Sequence, residues 1–537
     1  MAPRVLRLGT RRSALARAQS ALVARHLMAL HPGLTVELVG IDTRGDRVLD
    51  KPLSMVDGKE FFTAELDAAL LAGSVDLSVH SCKDLSLERP AGLELAAVPV
   101  REQPCDIVFF APDVEQRLAA GAPIRVGSSS PRRAAFVPAF LRQALPHRVG
   151  AGNEGEAGGA AHVQLCELRG NVDSRLRRLR EPADSPRRLD GVVLAFAGVA
   201  RLWRDPAGRE LLRELLAGLR RMVLPLSLCP GAPAQGALAV ECRAVDAATL
   251  EWLRVLDDPA TRADVAVERE LLAAHGGGCH QRFGATRIRV PGLGALLYTR
   301  AADDRGLQAP QLAWSPLRPL PAPVGPVRFW DGTRAPRAPI VRIEAADADC
   351  RQRLGGSAAA FIAHRQALPA MPAAAVNGCG HLWVPGTATW FALAERGVWV
   401  EGCADGLGFG ALQPLLAEGL LQLPAPADWT ILTHEDAREG WNAGQVIATY
   451  RTDAGPAAAP PMNAAGLAQA THVFWASSAQ YERWHAEVPV DAHHASGPGK
   501  THDHLRRQAL THLDVFPSVQ QWHEWLGAAA VAVPGPR

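Results

Sequence analysis

Apolar positions in the first 250 residues switch repeatedly between two periods. Val5–Gly9 is a short apolar run, after which Leu15, Ala18, Leu22, Leu27 and Leu30 recur at helical spacing. Thr35–Ile41 reads as a second strand. Phe62, Leu66, Ala69 and Leu70 form a helical stripe, and Val75–Val79 is strand again. Ile124–Gly127, Val163–Leu168 and Gly191–Phe196 are further strands with helical patterns between them. This alternation predicts an α/β protein with largely parallel sheets. Ligands in such sheets bind at the loops beyond the carboxyl ends of the strands. The pattern resumes late in the chain at His381–Val384, Trp429–Thr433, Val446–Tyr450 and Val473–Ser477, with a last helix near Val519–Leu526.

Four stretches interrupt the pattern. Gly150–Ala161 is a Gly/Ala-rich insertion expected to form a surface loop, and Pro310–Pro339 reads as an extended insertion or linker. Ala367–Ala375 marks an expected domain boundary, and Gly455–Pro461 is a shorter Pro/Ala loop. A chain of 537 residues has room for several domains of roughly 150 residues each. A net charge of +2 argues against a dedicated nucleic-acid binder. No apolar run approaches the roughly 20 residues that cross a bilayer. The start, Met1-Ala2-Pro3-Arg4, has no apolar export core, which points to the cytoplasm. Nine scattered cysteines without a C-x-x-C pair support neither a disulfide framework nor a thiolate metal site. Only four of 57 cationic residues are lysines: Lys51, Lys59, Lys83 and Lys500.

The loops after the strands share one device: a hydroxyl- or glycine-bearing turn, one or two cations, then a helix start. Val5–Gly9 leads into Thr10-Arg11-Arg12-Ser13, and Val75–Val79 into His80-Ser81-Cys82-Lys83-Asp84. Ile124–Gly127 leads into Ser128-Ser129-Ser130-Pro131-Arg132-Arg133, and Val163–Leu168 into Arg169-Gly170-Asn171-Val172-Asp173-Ser174-Arg175. Free backbone N–H groups at a helix start favour anions, and arginine forks grip carboxylates. Each such loop alone is an ordinary capped helix; four together suit a ligand with many carboxylates. Asp84 is a lone carboxylate among these cations, suited either to balancing positive charge or to capping a helix. Gly276-Gly277-Gly278-Cys279-His280 leaves a thiol without side-chain cover.

Together these segments resemble hydroxymethylbilane synthase, also called porphobilinogen deaminase, over roughly residues 4–368. The resemblance rests on LGTRRSALARAQ (8–19), DGKEFFTAEL (57–66), DLSVHSCKDL (76–85), VGSSSPRR (126–133), LRGNVDSRL (168–176), GVVLAFAGVARL (191–202), PAQGALAVECR (233–243) and ERELLAAHGGGC (268–279). It implies a two-domain clamp similar to type II periplasmic binding proteins, of residues 1–104 with about 232–250 and residues 105–231. A small α+β domain, 251–368 with the Pro-rich insertion 310–339, follows. It implies a monomeric cytoplasmic transferase of haem and tetrapyrrole biosynthesis. Four porphobilinogen molecules would be condensed, with release of ammonia, onto a dipyrromethane cofactor held by Cys279. In that match Asp84 is catalytic, and Arg11, Ser13, Ser81, Lys83, Ser129, Ser130, Arg132, Arg133, Arg169 and Arg175 hold cofactor and substrate carboxylates. Lys59 and Phe62 fall on the active-site loop and Gln235 near the hinge. Gln103 and Cys105 depart from the acidic and arginine residues usual there.

Residues 369–537 resemble the later part of uroporphyrinogen-III synthase, through VPGTATWFALAERGV (384–398), VIATYRTDA (446–454), VFWASSAQYERW (473–484), SGPGKTHDHL (496–505) and VFPSVQQWHEWL (515–526). That likeness implies a further α/β domain, with Tyr450 at a proton-donor position and Thr387, Ser477, Ser478 and Thr501 around a cleft. His493, His494, His502 and His504 fit no common zinc spacing and read as a solvated loop. Two other readings of the first part stand beside the transferase: a non-catalytic polycarboxylate-binding clamp, and a cysteine-dependent hydrolase using His275 or His280.

Overall fold

The computed structural model describes residues 4–43, 63–147, 159–278, 281–332, 339–441, 444–452, 467–527 and 530–532. They form two compact units, the first of residues 1–288 with 297–312, the second of 289–296 with 313–537. Among the described residues no helix is long and apolar enough to cross a membrane.

Ten strands build the two main sheets of the first unit: β1 (Arg4–Arg11), β2 (Leu34–Ile41), β3 (Leu77–Ser81), β4 (Leu93–Ala97), β5 (Asp106–Phe110), β6 (Ile124–Gly127), β7 (Val163–Cys166), β8 (Gly191–Ala195), β9 (Arg220–Val223) and β10 (Leu238–Arg243). One sheet runs β2-β1-β3-β10-β4 and the other β7-β6-β8-β5-β9. In each, parallel strands are joined through one antiparallel strand, β10 in the first sheet and β5 in the second. That strand is always the first one made after the chain crosses from the other sheet. Two crossings therefore link the lobes, between β4 and β5 and between β9 and β10, as a clamp requires. Every residue of β5 is buried, which fits a strand covered on both faces.

The strand-to-helix turns form as their residues dictate. Ser13 caps the helix Ala14–Leu30, accepting from Ala16 N at 3.3 Å. That helix buries Val23, Ala24 and Leu27 against Leu6, Leu8, Leu77 and Val240 of the sheet. Ser130 caps the helix Pro131–Ala144, with Pro131 in the first turn where its missing N–H costs nothing. β3 instead closes in a single tight turn, Cys82–Asp84. A sixteen-residue helix, Pro259–Ala274, then leads to the glycine run 276–278.

The second unit holds two more sheets. One is parallel, in the order Leu513–Val515, His493–Ser496, His472–Trp475, Arg328–Trp330, Val531–Ala532. The other runs Ile340–Arg342, Gln445–Thr452, Trp429–His434, Ala359–Ile362, Leu382–Val384, Gly402–Cys403. The chain makes Arg328–Trp330, builds the whole six-stranded sheet, then returns at His472 to complete the first.

Three expectations change here. The boundary placed near 369 falls inside the six-stranded sheet, because Ala359–Ile362 pairs directly with Leu382–Val384. The small residues between them form the helix Ala373–Asn377. The Pro-rich stretch is likewise no plain linker: Arg328–Trp330 lies in a sheet, with Trp330 packed on Trp475. Strands of three residues are too short to register as a period. The histidines expected in a solvated loop also lie elsewhere. His493 and His494 are in a strand, and His494 is buried, its Nδ1 accepting from Trp475 Nε1 at 2.9 Å. The insertions 150–161 and 455–461 lie largely or wholly outside the described residues.

Candidate functional site

The turn after β3 carries Lys83 and Asp84 side by side. Cys82 is buried with Leu85 among Val98, Ala234, Ala237, Ala239 and Val265, which fixes the turn and leaves Asp84 exposed. Lys83 is half-buried and donates to Gln235 Oε1 at 3.2 Å. Desolvation lowers its ammonium to about 8, with Asp84 opposing and Arg133 assisting that shift. Ser81 accepts from Gln19 Nε2 at 3.0 Å, so its hydroxyl and that of Ser13 have local partners. Arg11, at the end of β1, lies near enough to His80 to help depress that imidazole.

The second lobe brings its own cations. Arg132 and Arg133 are buried around Asp106, the first residue of β5. Arg132 Nη2 meets Asp106 Oδ2 at 2.7 Å and its Nη1 donates to Pro230 O at 2.7 Å. Arg133 Nη2 meets Asp106 Oδ1 at 2.7 Å and its Nη1 donates to Val193 O at 3.2 Å. Burial alone would raise the Asp106 carboxyl; the two guanidiniums outweigh it and hold the group well below the usual carboxylate range. Arg132 is thus spoken for by protein partners. Arg175 donates through Nε to Gly170 O at 2.7 Å. Its guanidinium is lowered to about 10 by burial and by the like charges of Arg133 and Arg169, while Asp84 opposes the shift. Lys83 and Asp84 of one lobe therefore share a field with Arg133 and Arg175 of the other. Ser129 and Ser130 sit half-buried at the same strand end, Ser130 as the helix cap.

Gln235 ties the two crossings together. Its Nε2 donates to Pro104 O at 2.8 Å and to Asp106 Oδ1 at 2.9 Å, while its Oε1 accepts from Lys83. Gly236 follows at φ +91°, and a Cβ there would lie 2.4 Å from Glu102 O, so the close approach demands glycine. Ala234 also adopts a positive φ, 65°, and its N–H donates to Glu268 Oε2 at 2.6 Å. Glu268 is bound as well by Arg101, at 2.6 and 2.9 Å. Asp106, Glu268 and Arg269 were not singled out from sequence, since their partners lie at separations that no local pattern reveals.

A second buried cluster lies behind the turn. Ligand atoms of Asp67, His80 and Glu241 fall within 4.8 Å of one another, the one such group among the described residues that could hold a metal ion. Arg89 already supplies its cation, reaching Asp67 at 2.6 Å and Glu241 at 2.7 and 2.8 Å. Cys279, His280, Lys59 and Phe62 lie outside the described residues. The glycines leading to Cys279 have φ of +90°, +68° and +84°, and Gly277 packs beside Leu87, three residues beyond Asp84. Carboxylates suit this site on one observation above all: Arg133, Arg169 and Arg175 lie close enough that the first two add to the burial that lowers the third.

In the second unit, Lys500 joins the loops of both sheets. Its ammonium donates to Ala437 O at 2.6 Å and to Glu439 O, and lies 4.2 Å from the Trp441 ring centre. A cavity of about 480 Å³ beside it is lined by Gly440, Lys500, Asp503, Arg506 and Arg507. Tyr450 is buried in the strand Gln445–Thr452, paired with Arg342 of the edge strand and packed against His434, and burial raises its hydroxyl. Thr387 opens one helix, Ser477 caps the helix Ser478–Trp484 through Gln480 N at 3.2 Å, and Thr501 follows Lys500.

Comparison with known proteins gives a family match and close relatives. Residues 6–251 match the family described as porphobilinogen deaminase, dipyromethane cofactor binding domain. The porphobilinogen deaminase of Roseiflexus castenholzii is 42% identical over 294 residues, covering 55% of this chain and 84% of that protein. Porphobilinogen deaminase 1 of Streptomyces avermitilis is 42% identical over 289 residues, covering 53% and 79%. A periplasmic substrate-binding protein of an ABC transporter from Coxiella burnetii aligns with 16% identity and a TM-score of 0.25, over 50% of this chain and 98% of that one.

Proposed function

Since this chain belongs to the porphobilinogen deaminase family, we propose that its first unit condenses porphobilinogen on a covalently held dipyrromethane, with Asp84 as the catalytic carboxylate. The observation that carries this reading is an exposed Asp84 facing a field of cations contributed by both lobes. Residues 1–104 with 232–250 form one jaw and 105–231 the other. The jaw containing β6 and β7 holds ring carboxylates through Arg169 and Arg175, and Arg11 and Lys83 hold them from the facing jaw; Arg133, bound to Asp106 and Val193, adds its positive charge to the site. Cys279, at the end of an uncovered glycine run, carries the dipyrromethane. That group supplies the pyrrole carbon to which porphobilinogen units are joined with loss of ammonia. Asp84 touches the reacting atoms: its ionised carboxylate balances positive charge as the amine departs, and it can accept the proton that the attacked ring carbon sheds. Arg132 acts differently, by holding Asp106 and so the start of β5.

Ammonia release from porphobilinogen tests this directly. Wild-type protein is expected to release it, and Asp84→Asn to fold normally but turn over orders of magnitude more slowly. Turnover near normal in that variant refutes the role given to Asp84.

For the second unit we propose a uroporphyrinogen-III synthase-like role acting on the released linear product. Two observations favour it: one sheet is built wholly within an interruption of the other, and a cation-lined cavity lies where their loops meet at Lys500. Incubating the full chain with porphobilinogen and resolving the uroporphyrin isomers decides the matter, because type I alone would exclude ring inversion.

A further inference from the structure

The helix Pro259–Ala274 does more than lead to the glycine run. Its start is pinned to the first lobe: Asp258 caps it through Thr261 N at 2.6 Å, and Asp258 N donates to Val98 O at 2.9 Å. Arg262 adds donations to Leu95 O and Ala96 O at 3.2 Å. Val265 packs on Cys82 and Leu85, the apolar residues on either side of Lys83 and Asp84. One turn on, Glu268 holds the crossing through Arg101 and Ala234 N. Arg269, four residues after Val265 and hence on the same face, reaches the turn itself. Its Nη2 donates to Ser86 O at 2.7 Å, and its Nη1 lies 3.3 Å from Leu85 O and 3.4 Å from Cys82 O. A single guanidinium thus gathers three carbonyls that bracket Asp84 in sequence. Further along the same stretch of chain, Gly277 lies against Leu87.

Building on the roles given to Asp84 and Cys279 above, we propose that Arg269 is a positioning residue that sets the Asp84 turn against the helix Pro259–Ala274, which precedes the cofactor cysteine in the chain. The guanidinium fork suits the task because it is planar and bridges several acceptors at once, whereas an ammonium is a point charge on a flexible stem. Arg269 is the side chain that bridges these three carbonyls, so loss of the fork frees the turn while Val265 still holds its apolar side. Misplacement of a reacting group by about 1 Å costs on the order of a hundredfold in rate. Arg269 touches no reacting atom, so its loss acts on turnover through Asp84 and leaves substrate capture by the arginines of the second lobe largely intact.

The experiment uses the full chain with Arg269→Gln, Arg269→Lys, Asp84→Asn and the double variant R269Q/D84N. Intact mass reads cofactor loading, and steady-state kinetics separate kcat from KM. Arg269→Gln is expected to load cofactor, keep KM within about threefold and lose roughly ten- to a hundredfold in kcat. Arg269→Lys should recover part of that loss. The double variant should be no slower than Asp84→Asn, because a residue acting only through Asp84 has nothing further to remove. Slow Asp84→Asn beside a normal Arg269→Gln, or losses that multiply in the double variant, overturns this inference alone. Normal turnover by Asp84→Asn overturns the Asp84 assignment and this inference with it. Should Arg269→Gln fail to fold, Arg269→Lys carries the same comparison, and a normal kcat there overturns the proposal.

Discussion

Arg132 and Asp106 meet at 2.7 Å with both side chains almost wholly withdrawn from solvent, and Arg133 grips the other oxygen of the same carboxylate. Two cations on one anion leave the cluster with a surplus positive charge. That surplus faces Lys83 and Arg175, so the carboxylate at its centre stabilises the cations without neutralising the site.

Asp106→Asn should therefore be costly. Removing one partner of a buried ion pair typically costs about 3–5 kcal/mol, because the remaining charge stays buried and uncompensated. Hydrogen exchange should quicken in β5 and in the helix Pro131–Ala144, and Gln235, Arg132 and Arg133 should be left to share the one remaining amide oxygen. Unchanged protection in both segments would mean that the pair is dispensable.

Lys83 sets an alkaline limit. Its ammonium, lowered to about 8, loses its proton well below the ordinary range for lysine. Since kcat/KM reports ionisations of the free enzyme, it should fall as pH rises through about 8 when this cation holds a carboxylate. Lys83→Arg keeps the charge at that pH and should remove the limb. An identical alkaline limb in both proteins would assign it to another group. For stability the sign is opposite. Between about 8 and the unfolded-state value near 10.4 the unfolded chain binds more protons at this position, so this group's contribution rises with pH there.

His80 sets an acid limit on folding. Burial foremost, then Arg89 and Arg11, lower it to about 3, so it is neutral in the folded lobe and bonded to Ser78 at 2.9 Å. Below about 6.5 the unfolded chain takes up a proton that the folded chain does not. This one group should erode stability by about 1.4 kcal/mol per pH unit as pH falls from about 6 towards 3. Chemical denaturation of His80→Gln should show a shallower decline over that range; an unchanged slope would place the acid sensitivity elsewhere.

Much of the first unit is legible in the sequence. Ile124–Gly127 is observed as expected, Thr35–Ile41 gains one residue, and both serine caps stand where the turn chemistry puts them. Those features are local, set by side-chain period and by a hydroxyl reaching a nearby N–H. What was not legible is long-range. Arg132 looks like a free ligand for carboxylates, yet Asp106 claims it from 26 residues away in sequence. Gln235 reaches across 129 residues to the same carboxylate and Arg269 across 183 to Ser86. In the second unit, the helix Val519–Leu526 shows in the sequence pattern, whereas the strand Arg328–Trp330 does not, because three residues in a proline-rich stretch carry no period.

Intact mass of the freshly purified protein beside its Cys279→Ser variant tests the account most directly. Wild type should carry added mass equal to two linked pyrroles with their acetate and propionate groups, and the serine variant should have its bare polypeptide mass. A wild-type chain at bare mass, or the same adduct on both proteins, would contradict it.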